Sequence, residues 1–335
     1  MGIAPLLDVR TLEVRFRVRK GYVYAVNGVS FQLQEREVLG VVGESGCGKS
    51  VTMLSLLKLL PPAARIERGQ ALFQDRDLLQ MSKRELRKIR GAQIAMVFQD
   101  PLTSLNPVVR IGVQMAEPLI YHQGLSMRAA MARCTELLNL VRVPDARSRL
   151  RDYPHQLSGG MRQRVMIAMA LACQPKILIA DEPTTALDVT IAAQIIALVK
   201  ELRDQVGSAI IWITHDLSVI AGLADRVVVM YAGQVVEEAQ VDDLYDDPRH
   251  PYTVRLLGAL PSAGETRARR LASIPGSPPE LGVRPQCCPF SPRCDYAIER
   301  CWTENPVLEL APGVDPGPVP HRIACWVDIR QRQAR

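Results

Sequence analysis

Apolar and polar residues alternate over residues 9–16, which predicts a strand with one buried face. Residues 30–33 read as a further strand, and Val38–Val42 is an unbroken β-rich run ending at Gly43, the pattern of a parallel strand covered on both faces. After a glycine-rich turn, residues 50–60 have helical composition and stop at Pro61-Pro62. Strand, loop and helix in that order predict a mononucleotide-binding unit. Short β-branched runs at 94–98, 177–180, 209–214 and 226–230 predict the rest of a buried, mostly parallel sheet. Between about 106 and 151 the period becomes helical, which places a helical subdomain between sheet elements. From 261 to 320 prolines multiply and cysteines arrive, the composition of a linker and a small appended module. No internal repeat and no heptad run is present, which argues against tandem copies and long coiled coils.

Composition sharpens this picture only in places. With 335 residues and 47% hydrophobic content the chain can fill a real core, so disorder is excluded as its general state. The 41 basic residues exceed the 35 acidic ones by +6, and the densest basic group is Arg267, Arg269 and Arg270. That mild excess suits phosphates or a membrane surface as well as it suits nucleic acid. The N-terminus lacks a basic stretch followed by a long apolar one, so the expectation is a chain that stays in the cytosol. The apolar runs at 165–173 and 208–214 end well short of the roughly 18 residues that a spanning helix needs. Of the eight cysteines, Cys47, Cys134 and Cys173 are scattered, while Cys287, Cys288, Cys294, Cys301 and Cys325 crowd the C-terminal end. In a reducing compartment such crowding points to metal before disulfides.

The sharpest motif is Gly43-Glu44-Ser45-Gly46-Cys47-Gly48-Lys49-Ser50, followed by Val51, a complete G-x-x-x-x-G-K-[ST] run between a strand and a helix. Its backbone N–H groups can wrap a β-phosphate, Lys49 can reach the β and γ oxygens, and the Ser50 hydroxyl can ligate Mg²⁺. Hydrolysis also needs a carboxylate on the metal and a group to activate water. The run ending Ala180-Asp181-Glu182 supplies both, with Asp181 on Mg²⁺ and Glu182 as the base. A strand ending in Asp-Glu alone is commonplace; beside a phosphate loop it becomes specific.

Leu157-Ser158-Gly159-Gly160-Met161 then resembles the signature of the ABC transporter ATPases, with Met161 where that family usually has Gln and with Arg162-Gln163-Arg164 following as expected. The resemblance implies an ABC-type P-loop α/β fold: a mostly parallel core sheet, an N-terminal antiparallel β subdomain and an inserted helical subdomain at about 106–165. It implies that Ser158, Gly159 and Gly160 cap the γ-phosphate of ATP held by an opposite subunit. Gln99 resembles the glutamine that contacts Mg²⁺ or water and relays to the membrane subunits, Ala186-Leu187-Asp188 the loop crossing the dimer interface, and His215 the switch histidine that senses the γ-phosphate. Phe16 fits the aromatic that stacks on adenine, with Tyr22 or Tyr24 as substitutes across a short insertion at 17–24.

Three stretches extend the resemblance to the dipeptide, oligopeptide and nickel importer ATPases: Phe98-Gln99-Asp100-Pro101-Leu102-Thr103-Ser104-Leu105-Asn106-Pro107, Arg249-His250-Pro251-Tyr252-Thr253, and Cys288-Pro289-Phe290-Ser291-Pro292-Arg293-Cys294. Residues 6–260 are then the nucleotide-binding domain and 261–335 a Cys/Pro-rich C-terminal extension. Four thiolates from Cys288, Cys294, Cys301 and Cys325 suit a [4Fe–4S] cluster or a zinc ion equally by count, and the resemblance implies the cluster. Cys287 stands where glycine is usual and is either a spare thiol or a rival first ligand. The resemblance further implies two transmembrane permease subunits, a second and different ATPase subunit, an extracytoplasmic solute-binding protein, a place on the cytoplasmic face of the membrane, and no nucleic acid. The solute stays open among dipeptides, longer peptides, nickel chelates and glutathione-like compounds. A soluble ABC-type ATPase acting on DNA or ribosomes is the rival class; such relatives carry long coiled coils or two nucleotide-binding domains, and this sequence has neither.

Overall fold

The computed structural model describes residues 4–185, 187–260, 274–314, 317 and 319–330. Ala186, and the arginine group at 267–270, lie outside the described residues. The chain divides into two compact units, one of Met1–Gln34, Val38–Gln80 and Thr214–Arg335, the other of Glu35–Glu37 and Met81–Ile213.

In the first unit, β1 (Leu7–Val18) and β2 (Gly21–Leu33) form a hairpin, β1 also pairs with β4 (Ala64–Phe73), and β4 with β5 (Arg76–Asp77), all antiparallel. The stretch 17–24, expected as an insertion, is mostly strand. Val18 pairs with Gly21 across a two-residue turn at Arg19-Lys20, the tight loop that antiparallel hairpins favour. The aromatic run Tyr22-Val23-Tyr24 hides the alternation that would have marked it.

The second sheet of this unit begins with β3 (Val38–Val42), buried along its whole length and paired in parallel with β9 (Arg226–Tyr231). β10 (Gln234–Gln240) runs antiparallel to β9, and the short β12 (Arg322–Ile323) bridges β10 to β11 (Glu309–Leu310). Pattern reading missed β10 because Glu237 and Glu238 interrupt its apolar residues, yet both are buried. Arg226 on the neighbouring strand pairs with Glu238, and His321 meets Glu237 at 2.7 Å. The helices are α1 (Lys49–Leu56), α9 (Leu217–Ala221), α10 (Val241–Asp246), α11 (Pro251–Gly258) and α12 (Glu299–Thr303). The first of these ends four residues before the expected 60.

In the second unit, β6 (Ile94–Val97), β7 (Ile177–Asp181) and β8 (Ala209–Thr214) pair in parallel, and β7 and β8 are buried throughout. Around them lie α2 (Lys83–Ile89), α3 (Pro101–Ser104), α4 (Ile111–Gln123), α5 (Met127–Leu140), α6 (Ala146–Arg149), α7 (Gly159–Leu171) and α8 (Val189–Val206). Helices α4 to α6 fall within 106–151, where the period becomes helical. α2 opens with a capping box in which Ser82 and Glu85 satisfy each other's backbone N–H groups. Among the described residues no helix is long and apolar enough to cross a membrane.

Candidate functional site

The phosphate loop of the first unit leaves β3 at Gly43 and enters α1 at Lys49, with Gly48 as the cap. Its shape requires glycine at two points. Gly43 has φ +149° and a Cβ there would lie 2.2 Å from the Met230 carbonyl oxygen; Gly48 has φ +99° and a Cβ there would lie 2.4 Å from that of Ala25. Backbone, which cannot step aside, blocks both. A further bond pins the loop: Gly233 N–H donates to the Cys47 carbonyl at 3.0 Å. Lys49 is 4% exposed, and its Nζ donates to the Gly43 and Glu44 carbonyls at 2.8 and 3.0 Å. The ammonium is thus held inside the curve of the loop, where a phosphate oxygen would meet it. Burial pushes the Cys47 thiol up despite the neighbouring ammonium, whose Nζ donates to its Sγ at 3.8 Å. Ser45, Gly46, Ser50 and Val51 complete the loop and the first turn of α1.

In the second unit, Asp181 ends β7 and is buried at 6% exposure. Glu182 follows with φ +45°, a left-handed conformation that is uncommon for a non-glycine residue. Its backbone N–H donates to the Ile213 carbonyl at 3.0 Å, which fixes the turn. Gln99 Nε2 and Thr185 Oγ1 both donate to Glu182 Oε2 at 3.0 Å. The structure therefore brings together two of the residues singled out in the sequence, Gln99 and Glu182, across 83 positions of chain. Ser158 caps α7, its Oγ accepting from Met161 N–H at 3.4 Å, and Gly159 and Gly160 are the helix's first two residues. Their N–H groups face the open end of the helix, as anion binding requires. Asp188 caps α8 without a side-chain bond and is exposed, as is Val189 at 87%.

His215 follows β8, is exposed, and belongs to the first unit. Phe16 lies on β1, half-buried, opposite Val23 and Ala64. Tyr22 and Tyr24 already carry guanidinium groups over their rings, Arg15 at 4.1 Å and Arg284 at 5.4 Å.

Two residues without an assigned role prove to touch the phosphate loop. Tyr252 Oη accepts the Glu44 backbone N–H at 2.8 Å, and Arg293 pairs with the Glu44 carboxylate at 2.7 Å. Arg293 lies 249 positions along the chain from Glu44, and no local pattern announces such a contact.

Four of the C-terminal cysteines, Cys288, Cys294, Cys301 and Cys325, line one cavity together with Phe290 and Trp326. Cys287 is not among its lining residues. The Cys288 N–H donates to the Cys301 carbonyl at 3.0 Å, tying two of the contributing segments together. Burial, and less strongly the neighbouring sulfurs, push the Cys288 thiol up to about 11 and the Cys325 thiol up to about 12. A cation between them would reverse that preference, since thiolates are what a soft metal binds. Among the described residues no three His, Cys, Asp or Glu side chains are grouped tightly enough to hold a metal ion as they stand. The four cysteines thus line one cavity without forming a metal-binding group as they stand.

A glycine-rich loop leading into α1, an acidic strand end and a serine-capped glycine helix start, carried on sheets of this kind, define an ATP-binding cassette. Residues 26–185 match the ABC transporter family, and residues 236–301 match the oligopeptide/dipeptide transporter C-terminal region. The chain is 50% identical to a probable peptide ABC transporter ATP-binding protein, y4tR, of Sinorhizobium fredii, over 96% of this chain and 94% of that one. It is also 50% identical to the oligopeptide transport ATP-binding protein OppD of Escherichia coli, over 92% of this chain and 91% of that one. Among solved structures, the ATP-binding cassette MJ0796, a dimer in a post-hydrolysis state bound to ADP and Pi, is similar with TM-score 0.63 and 28% identity, covering 70% of this chain and 98% of that one. The chain belongs to the ABC transporter ATP-binding proteins, on the branch that carries the oligopeptide/dipeptide transporter C-terminal region.

Proposed function

We propose that this chain is the ATP-hydrolysing subunit of an ABC importer of di- or oligopeptides. Relatives named for peptide transport at 50% identity over almost the whole length support that solute class, with nickel chelates and glutathione-like compounds as alternatives within the branch. A soluble ABC-type ATPase acting on nucleic acid or ribosomes is the reading from another class, and the match of 236–301 to a transporter region argues against it.

In this reading Phe16 stacks on adenine, the backbone of Gly43 to Val51 cradles the phosphates, and Lys49 meets the β and γ oxygens. Ser50, Gln99 and Asp181 would hold Mg²⁺, which would supply charge neutralisation on the phosphoryl oxygens. Glu182 accepts a proton from the attacking water as its oxygen bonds to the γ-phosphorus, while the bond to the β–γ bridging oxygen breaks and ADP leaves. His215 steadies that carboxylate. Ser158, Gly159 and Gly160 of an opposite subunit close over the γ-phosphate, with Asp188 at the interface. The second subunit is a different ATPase, so the functional pair is a heterodimer, with a homodimer as the alternative, and two permease subunits hold it on the cytoplasmic face of the membrane. An extracytoplasmic solute-binding protein delivers the cargo, and nucleic acid plays no part.

We read residues 6–260 as the nucleotide-binding domain and 261–335 as the extension. Its four cavity-lining cysteines would hold a [4Fe–4S] cluster, with zinc as the alternative; a cluster would supply cross-linking of the chain at four positions and a one-electron couple.

The observation that carries the reading is the held state of Glu182, strained in backbone and hydrogen-bonded through its carboxylate to Gln99. Glu182→Gln keeps the shape and removes the base, so ATP turnover should fall by about 10²- to 10⁴-fold while nucleotide still binds and the paired subunits stay closed. Parent-level hydrolysis by that variant would remove Glu182 from the catalytic role.

A further inference from the structure

The phosphate loop contains a carboxylate. Glu44 follows the first glycine of the motif, one quarter exposed, at the mouth of a loop that must receive a triphosphate carrying several negative charges. Left bare, it would repel that ligand.

It is not bare. Arg293 Nη1 donates to Glu44 Oε2 at 2.7 Å and Arg293 Nη2 donates to Oε1 at 2.9 Å, the two-pronged fit of guanidinium on carboxylate. The other donors of the same group are also used. Nη1 reaches Tyr231 Oη at 3.2 Å, Nε the Pro275 carbonyl at 2.9 Å, and Nη2 the Ile274 carbonyl at 3.3 Å. All five guanidinium N–H directions thus have acceptors, and the side chain is only 4% exposed. An arginine so completely held is a fixed charge. A lysine, with one rotatable ammonium, could not reproduce the arrangement.

Beneath it, the rings of Tyr231, Tyr252 and Phe290 pack with centroids 4.6 to 5.4 Å apart. Tyr252 in turn accepts the Glu44 backbone N–H at 2.8 Å. Both the side chain and the backbone of Glu44 are therefore held from the C-terminal third of the chain, and Arg293 sits one residue before Cys294.

We propose that Arg293 is the resident counter-ion of the phosphate loop: a positioning residue that neutralises Glu44 and holds the loop ready for the triphosphate. This makes nucleotide affinity depend on how the C-terminal region is seated, a link that runs through the Arg293–Glu44 ion pair beside the Tyr252 hydrogen bond. The inference rests on the reading of residues 43–50 as the ATP site.

The test uses the full-length protein, a fluorescent ATP analogue with Mg²⁺, and steady-state hydrolysis. Arg293→Gln should weaken nucleotide binding about tenfold, the scale of leaving one carboxylate unneutralised beside the triphosphate. KM should rise in step with Kd while kcat stays within about twofold, because the effect is on binding and not on the chemical step. Adding Glu44→Gln to Arg293→Gln should restore most of the affinity, since the unpaired carboxylate is then gone. A purely packing role for Arg293 predicts no such recovery, and an unrecovered double variant, or a parent-like Arg293→Gln, overturns the proposal. Should Arg293→Gln fail to fold, a double variant that melts like the parent supports neutralisation, and one that also fails to fold overturns it. Lys49→Ala separates the two levels. Loss of nucleotide in Lys49→Ala beside a parent-like Arg293→Gln sinks only this inference, whereas undiminished binding in Lys49→Ala sinks the loop assignment and the inference with it.

Discussion

His250 should make the protein acid-sensitive over a definite window. It is 2% exposed and caps α11, where its Nδ1 accepts the Tyr252 N–H at 3.1 Å, a bond only the unprotonated nitrogen can make. Burial holds the imidazolium from its ordinary 6.5 down to about 4, against smaller opposing effects of the nearby Glu237 carboxylate and an Ala324 backbone hydrogen bond. That carboxylate is itself engaged, accepting the Arg249 and His250 N–H groups at 2.7 and 3.0 Å and meeting His321 at 2.7 Å. Between pH 6.5 and about 4 the unfolded chain binds a proton that the folded chain refuses. Stability therefore falls as pH falls, and the loss is complete only below about 4. Each tenfold difference in proton affinity between the folded and unfolded chains is worth about 1.4 kcal/mol, so the loss between pH 7 and pH 5 is about 2 kcal/mol from this residue alone. Asparagine can keep the capping acceptor without the titration, so His250→Asn isolates the effect. Urea unfolding of parent and variant at pH 7, 6 and 5 should give stability curves that converge toward acid, the parent losing about 2 kcal/mol more. Parallel curves would refute the assignment.

Gly48→Ala places a methyl against the Ala25 carbonyl and forces a strained φ, so it should abolish high-affinity ATP binding and cost about 1–3 kcal/mol in stability, read by nucleotide titration and melting. Protein purified without oxygen should contain about four iron and four sulfide per chain, lowered by Cys294→Ser. One equivalent of zinc, or no metal at all, would reject the cluster.

The parts of the site that rest on contiguous residues were legible without a structure. The phosphate loop is eight successive residues whose glycines and lysine act within one turn of backbone, and β3 and β8 fall at the bounds their apolar runs predict. Strands whose pattern is mixed were not legible. β10 carries two buried glutamates, tolerated because Arg226 and His321 arrive from other segments to pair with them, and the start of β2 is masked by aromatic residues that blur its alternation.

Sequence alone thus marked the candidate groups: a phosphate loop, an acidic strand end, a serine-glycine helix start and a set of thiols. Tertiary structure decided who meets whom. It put Gln99 on Glu182, turned Cys288 and not Cys287 to the shared cavity, and set Arg293 on the carboxylate of the phosphate loop. Motifs are read from spacing along the backbone, which a few dihedral angles fix. Ion pairs between distant segments depend instead on how a whole core packs, and spacing carries no record of that.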